Sequence, residues 1–549
     1  MKRYTLDIET DAIKATVIHC IVAEDIDTGE ILVWHKDTLE LFANWSRGVD
    51  IFVMHNGVSF DAPVLNKLLG STIPLKKIRD TLILSQLADA SIDGGHSLDA
   101  WGKRLGFPKQ ECSDFTTYTK DMLDYCINDV KLTTILYKHL QKELKNFSKQ
   151  CISMEHQIRA IIDRQELNGF KLDILKASCL SAKLEQEATA IEREMQSIFP
   201  PITHERYSEA TGKRLQDKVE IFNPGSRQQI AKRLMEKGWK PINLTPTGHA
   251  IVDEGTLKKV NIPEAQKIAK YLLLKKRATQ INSWIDVVQE DGKVHGRVMT
   301  LRAISGRMAH NSPNMAQIPA VYSPYGKECR EVWIPTNSSY KLLGCDASSL
   351  ELRCLAHYMG DKKFIDEVVG GDIHTANQKA AGLETRDQAK TFIYALIYGA
   401  GADKIGSIVG GGRKEGQLIT NKFMSNMPAL KSLRDKVDKA ARSGYIKALD
   451  GRLLKIRQMH SSMNQLLQGA GAIICKEWLR QITLKVQHSF DYKLVASIHD
   501  EYQFEVREDQ AESFGKATKE AMKLAQKELN VLCPLDSEYK IGNNWADTH

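Results

Sequence analysis

Two strand-like runs, far apart in the chain, each present carboxylates at one end. Tyr4 to Glu9 alternates in the strand manner, so Asp7 and Glu9 leave the same face while Leu6 and Ile8 enter a core. The apolar run Leu342-Leu343-Gly344-Cys345 leads directly into Asp346. Paired acids on the ends of buried strands are costly unless a cation shares them, which restricts the folds and chemistries open to the chain. At 549 residues the chain is also too long for one ordinary core, and several domains are expected.

Composition narrows the class. Hydrophobic residues make up 42% and charged residues 26%, near the globular averages, which excludes a disordered or low-complexity chain. The ten Cys form no C-x-x-C pair, so neither a disulfide framework nor a zinc module is signalled, and a reducing compartment is expected. No apolar run reaches the roughly 18 residues of a membrane span, and Asp7, Glu9 and Asp11 interrupt the start before a signal-peptide core can form. The chain is therefore expected to stay where it is made, away from membranes. The formal charge of +8 is uneven. Residues 1–150 hold 18 Lys/Arg against 21 Asp/Glu, so the remainder carries the whole excess, as a polyanion-binding part would.

Ile51-Phe52-Val53-Met54 reads as a second short strand and Asp121 to Lys145 as helix, giving an α/β domain that ends near residue 150. A helical stretch from Lys183 to Ile198 stops at Pro200-Pro201, and the turn-rich segment up to Phe222 reads as a linker or small insertion. Lys258 to Arg277 holds seven Lys/Arg and one Glu among Ile268, Leu272, Leu273 and Leu274, the pattern of a helix with a basic face. Leu494 to Val506 reads as a hairpin with His499, Asp500 and Glu501 at its tip.

Asp61 follows His55-Asn56-Gly57 and Phe60, where a second strand would end, and Tyr125 and Asp129 share one helix face. Convergence of these acids with Asp7 and Glu9 would make an oxygen-rich site for Mg²⁺ or Mn²⁺, suited to phosphodiester hydrolysis. Asp7-Ile-Glu9-Thr, Asn56-x-x-x-Phe60-Asp61 and Tyr125-x-x-x-Asp129 together resemble the three motifs of the DEDDy proofreading exonucleases, with Asp80-Thr-Leu and Ser97-Leu-Asp99-Ala-Trp101 as supporting matches. The resemblance implies a ribonuclease-H-like 3′-5′ exonuclease domain over residues 1–150. Asp7, Glu9, Asp61 and Asp129 would bind two metal ions, and Tyr125 would orient the attacking water.

If the Asp346 strand and the hairpin are neighbours, Asp346 and Asp500 can share two ions beside a nucleoside triphosphate. Between them in sequence, Arg386, Lys390 and Tyr394 fall on one helical stripe that offers two cations and an aromatic ring to a single ligand. Asp346-Ala-Ser-Ser-Leu-Glu351-Leu-Arg353, the Arg386 to Gly399 segment and His499-Asp500-Glu501 resemble motifs A, B and C of the family-A DNA polymerases. The likeness is strongest to the replicative enzymes of short-tailed phages. It extends through Phe222-Asn-Pro-Gly-Ser-Arg, Ile304-Ser-Gly-Arg307, Asn314-Met-Ala-Gln317, Gly371-Asp-Ile-His374 and Asn464-Gln-Leu-Leu-Gln468.

That resemblance implies a right-hand polymerase domain over 151–549, with thumb about 170–294, palm about 295–358 and 464–549, and fingers about 359–463. It implies replication of a phage genome in the cytoplasm of an infected bacterial host. Primer-template DNA, deoxynucleoside triphosphates, two Mg²⁺ per active site (Mn²⁺ can substitute), a phage helicase-primase and a single-strand binding protein would accompany it. Asp346, Asp500 and the Ala347 carbonyl would ligate metal, with Glu501 as an additional catalytic acid. Arg386, Lys390 and His374 would grip the triphosphate, and Lys390 would protonate the departing pyrophosphate. Tyr398, Arg307, Asn464, Gln468 and His499 would meet primer and template. Glu351 with Tyr394 would exclude a ribose 2′-hydroxyl, which disfavours an RNA polymerase, and the Tyr394 hydroxyl would admit dideoxynucleotides. The short interval between Phe199 and Phe222 leaves no room for the thioredoxin-binding thumb insertion of some phage relatives. A DEDDy exonuclease whose longer part only binds nucleic acid, and a scaffold with degenerate sites, are the rival readings.

Overall fold

The computed structural model describes every residue, Met1–His549. Its apolar side chains segregate into several separate cores, as the length requires. One lies under an N-terminal sheet and a large one lies between a second sheet and the helices around it. Another centres on Trp284, Trp333 and Trp545, and a small one on Phe199, Phe222 and Ile268.

The N-terminal sheet contains β1 (Arg3–Thr10), β2 (Ile18–Asp25), β3 (Ile31–His35), β4 (Ile51–Met54) and β5 (Ile78–Asp80), in the spatial order β3-β2-β1-β4-β5. The first three pair antiparallel, while β4 pairs parallel with β1 and with β5. Leu6 and Ile8 are buried as the alternation requires. The Lys120–Glu143 helix packs across β1 and β2, capped by the Thr119 hydroxyl, which accepts from Met122 N.

The second sheet contains β6 (Tyr340–Ala347), β7 (Tyr492–Ile498), β8 (Glu501–Arg507) and β9 (Ser537–Gly542), ordered β7-β8-β6-β9 and antiparallel throughout. One face carries Leu343, Cys345, Tyr502 and Phe504 into the large core, against the Ser462–Val486 and Ala511–Glu528 helices. The opposite face is polar, with Asp346 paired to Glu501 and Gly344 to Gln503. A Cβ at Gly344 would stand 2.5 Å from the Thr548 carbonyl oxygen, so only glycine lets the end of the chain lie on this face.

Several local expectations are corrected. The helix expected from Lys183 begins at Ile174, where the Asp173 carboxylate accepts from Lys176 N. The segment read as linker is a β-hairpin, Ile202–Tyr207 with Arg214–Glu220. The basic helix runs over Pro263–Ile285, so Lys258 and Lys259 precede it, and Arg277 is buried with Nε directed to the Pro324 carbonyl at 3.5 Å. Of its exposed cations, Lys267 pairs with Glu194 and Lys270 with Glu187 on the neighbouring helix, which leaves Lys275 and Lys276 as its unpaired cations.

A knot of four buried charges joins distant parts of the chain. Lys476 Nζ donates to both Glu155 oxygens at 2.8 and 2.9 Å and to the Thr300 carbonyl at 2.8 Å. Arg452 reaches Glu155 and Asp450, each at 2.7 Å. Nearby, Ser148 Oγ donates to the Asp450 carbonyl at 2.5 Å, and Lys455 pairs with Asp89 at 2.8 Å. The Lys149–Asn168 helix, the 450–455 turn and the Ser462–Val486 helix are thereby held as one unit.

Candidate active sites

The two-residue turn between β7 and β8 places Asp500 beside the end of β6. His499 takes φ +54° at this turn, and Ala347 N donates to the Asp500 carbonyl at 3.1 Å. Desolvation of the Asp346 carboxyl against the sheet, followed by the charge of Asp500, pushes it up to about 7. Burial, followed by the charge of Glu351, pushes Asp500 up to about 6. The charge of Asp500 thus adds to the cost of ionising Asp346, and the Ala347–Asp500 backbone bond holds the two segments side by side.

Glu501 opens β8 directly after Asp500. It is buried, and it accepts from Trp545 Nε1 at 2.7 Å and Gln503 Nε2 at 2.6 Å, with His549 Nδ1 at 3.2 Å and Arg330 at 3.8 Å. Burial opposes its charge, but His549 and Arg330 outweigh that and hold it below the usual carboxylate range. Its oxygens fasten the end of the chain to the sheet.

The Leu350–Met359 helix is capped at Ser349, which takes φ +52° and makes no side-chain cap bond. Glu351 in its first turn accepts from the Tyr398 hydroxyl at 3.0 Å and faces Arg307 at 3.5 Å. Tyr398 ends the Arg386–Ile397 helix, which starts in a reciprocal cap between Thr385 and Gln388. Burial and the Glu351 charge push the Tyr398 phenol up to about 12. One helix thus presents exposed Arg386 and Lys390 at one end, and half-buried Tyr394 and more open Tyr398 towards the acids. Arg386 Nε is held by both Asp372 oxygens at 2.9 and 3.1 Å. Asp372 also caps the Ile373–Ala381 helix that carries His374. The His374 ring lies 6.3 Å from that of Tyr394, and its buried Nδ1 has no partner. Asn464 Oδ1 is likewise buried and unpartnered, one turn before Gln468 on the Ser462–Val486 helix.

In the N-terminal sheet, Asp7 and Glu9 on β1 converge with Cys126 of the Lys120–Glu143 helix, their ligand atoms all within 4.8 Å of one another. Asp61 opens the Asp61–Leu69 helix, and both it and Asp129 keep one buried carboxylate oxygen without a partner. Burial raises Asp7, Glu9, Asp61 and Asp129 alike, and mutual repulsion adds to the shift at Asp7, Glu9 and Asp61. Asp80 accepts from Asn56 N, Val58 N and Leu82 N at 2.9–3.0 Å, so it clasps the loop that delivers Asp61. Sequence reasoning missed Lys109, whose Nζ sits 2.5 Å from Asp129 Oδ2 and 4.6 Å from the Tyr125 ring centre. It also missed Cys126 and the Asp372 clasp on Arg386. Cys126 and Asp372 adjoin residues already singled out, whereas Lys109 lies in a loop with no periodicity to betray it.

Residues 200–547 match the family described as DNA polymerase family A. The chain is 31% identical to the DNA-directed DNA polymerases of Escherichia phage T7 and Enterobacteria phage T3, over 99% of this chain and 99% of each relative. Among solved structures, the POL domain of Pol1 from M. smegmatis, in complex with DNA primer-template and dNTP, superposes with a TM-score of 0.81 at 19% identity. That match covers 99% of this chain and 95% of the other. The fold is that of a family-A polymerase, with palm, fingers and thumb.

Proposed function

Because the chain belongs to DNA polymerase family A and acts as a DNA-directed DNA polymerase, we propose that it extends a primer at Asp346 and Asp500 and trims mismatched ends at the Asp7 cluster. We read residues 1–150 as the exonuclease domain and 151–549 as the polymerase. The setting we infer is phage genome replication in the cytoplasm of a bacterial host, alongside a helicase-primase and a single-strand binding protein. The observation that carries the reading is the pairing of Asp346 and Asp500, both driven towards protonation, next to a helix that offers cations and tyrosines.

The residues present suit divalent cations. Unpartnered carboxylate oxygens on Asp61 and Asp129, and acids pushed upward in both clusters, are the donor set that a hard cation takes. Asp346, Asp500 and the Ala347 carbonyl would hold two Mg²⁺ at one site, and Asp7, Glu9, Asp61 and Asp129 two at the other. Ions bound there neutralise phosphoryl charge and make the attacking oxygen more acidic.

The chain's own groups do the rest. Arg386 exchanges the Nε bond it shares between the two Asp372 oxygens for triphosphate oxygens, one charged acceptor for another. Lys390, exposed on the same stripe, carries a proton to the departing pyrophosphate, and His374, whose Nδ1 has no protein partner, joins it in gripping the triphosphate. Tyr398 and Arg307 pin Glu351 so that its carboxylate and the Tyr394 ring close the space a 2′-hydroxyl would need. Arg307, Asn464, Gln468 and His499 line the path of primer and template, and Tyr398 lies against the template position. At the other site Lys109 holds Asp129 in place and lies over the Tyr125 ring, and the phenol orients the attacking water.

The deciding experiment is primer extension on matched and mismatched primers with Asp346→Ala and Asp7→Ala separately. Synthesis should vanish only in the first variant and trimming only in the second. Persistence of synthesis in Asp346→Ala would overturn the palm assignment, and persistence of trimming in Asp7→Ala the exonuclease assignment.

A further inference from the structure

The Asp7 cluster contains an atom that a hard, oxygen-only cation site does not need. Cys126 is fully buried, next to Tyr125 on the Lys120–Glu143 helix, and its Sγ donates to Asp7 Oδ2 at 3.7 Å. Two ligands of one tetrahedral zinc ion, with Zn–S of about 2.3 Å and Zn–O of about 2.0 to 2.2 Å, stand roughly 3.5 Å apart. The Cys126–Asp7 separation is close to that value, and Glu9 completes a trio within 4.8 Å. A buried carboxylate oxygen on each of Asp61 and Asp129 has no protein partner. Asp61 is 3% exposed and feels the Asp7 charge directly, so it faces the same space. The other nearby thiol, Cys20, stands opposite Glu9 in the β1–β2 pairing and packs with Val22, Cys126 and Val130.

We propose that Cys126 is a thiol ligand of this site, with Asp7 and Glu9, and that it makes the site bind thiophilic divalent cations such as Zn²⁺ and Cd²⁺. Thiolate sulfur favours these ions over Mg²⁺, which prefers oxygen and octahedral geometry. Binding forms a sulfur–metal bond and releases the thiol proton to solvent, with no change of oxidation state. An ion held this way occupies Asp7 and Glu9 in a tetrahedral arrangement, so it blocks the cation pair needed for hydrolysis. The inference rests on the exonuclease reading for this consequence, and on the three side chains alone for the binding itself.

The test is a cobalt titration of the full-length chain, read as the thiolate-to-cobalt charge-transfer band in the near ultraviolet. Wild type should show the band. Cys126→Ser and Asp7→Asn should both lose it, and Cys345→Ser, which alters the thiol beside Asp346, should keep it. A band absent from wild type, surviving Cys126→Ser, or lost only on Cys20→Ser would overturn the proposal. In parallel, Cd²⁺ is titrated into single-strand degradation run in excess Mg²⁺. Half-inhibition should need at least about tenfold more Cd²⁺ in Cys126→Ser than in wild type, the lower end of what removing a supporting metal interaction costs. Equal sensitivity in the two would count against it. Complete absence of degradation in wild type would refute the exonuclease reading, while the cobalt band would still decide the ligand independently.

Discussion

The hydroxyl of Tyr398 donates to Glu351 at 3.0 Å and so ties the end of the Arg386–Ile397 helix to the helix that follows β6. Glu351 is thereby fixed from two sides, by the Tyr398 hydroxyl and by Arg307 at 3.5 Å. Removing the hydroxyl with Tyr398→Phe deletes one hydrogen bond to a charged acceptor, about 1.5 to 3 kcal/mol at most. Ribonucleotide incorporation should rise about tenfold, and more in Glu351→Ala, measured as the ratio of kcat/KM for ribo- and deoxynucleotides. Unchanged ratios in both variants would remove Glu351 as the gate.

Tyr394 stands between His374 and the acids Glu351 and Asp500. Its hydroxyl can stand in for the absent 3′-hydroxyl of a dideoxynucleotide, so Tyr394→Phe should restore discrimination against such substrates. Chain-termination gels at fixed dideoxy-to-deoxy ratio check this, and identical termination by both enzymes would refute it.

Asp346 at about 7 and Asp500 at about 6 lie above ordinary aspartate values, which gives a definite sign. Their protonated forms favour the metal-free fold, a contribution present near pH 4 and lost as pH rises through about 6 to 7. In EDTA, melting temperature should therefore fall between pH 5 and pH 8, and the stabilisation given by Mg²⁺ should grow over the same interval. Asp346→Asn should flatten the EDTA profile.

Lys109 is the resident counter-cation of Asp129, at 2.5 Å. Lys109→Met should lower the Mn²⁺ concentration needed to half-fill the exonuclease site, because the ion no longer competes with an ammonium for Asp129. Manganese binding followed by electron paramagnetic resonance reads this directly, and an unchanged or weaker affinity would show that Lys109 assists binding instead.

The knot of Glu155, Lys476, Arg452 and Asp450 is fully buried. Burial drags Lys476 down to about 8, although Glu155 opposes the shift. Lys476→Met strands the Glu155 and Asp450 carboxylates with Arg452 alone and should cost about 3 to 5 kcal/mol in urea unfolding. A loss under about 1 kcal/mol would mean that water already reaches the site.

The sites were legible where chemistry follows strand or helix periodicity. Asp7 and Glu9 share a face because strand residues alternate, and Tyr125 with Asp129, or Arg386 with Lys390 and Tyr394, share one because helical residues recur at four. Resemblance then supplied what periodicity lacks, namely which distant segments meet. What stayed hidden depends on tertiary contact alone. Glu501 sits beside the tip acid Asp500 in sequence, yet Trp545 and His549 from the end of the chain claim its oxygens. Arg277 completes a basic run in sequence, but the helix turns it inward to the Pro324 carbonyl. The hairpin at 202–220 was obscured because its strands are mostly exposed and carry no alternating apolar face.

The four-charge knot has a bearing on editing itself. Glu155, Arg452 and Lys476 fasten the helix leading out of the N-terminal sheet to the 450–455 turn and the Ser462–Val486 helix, so the elements around the two acidic clusters are tied to one another. On the proposed reading of the two sites, a frayed primer strand would cross between them by its own flexibility, with DNA unpairing timing the choice between copying and erasing.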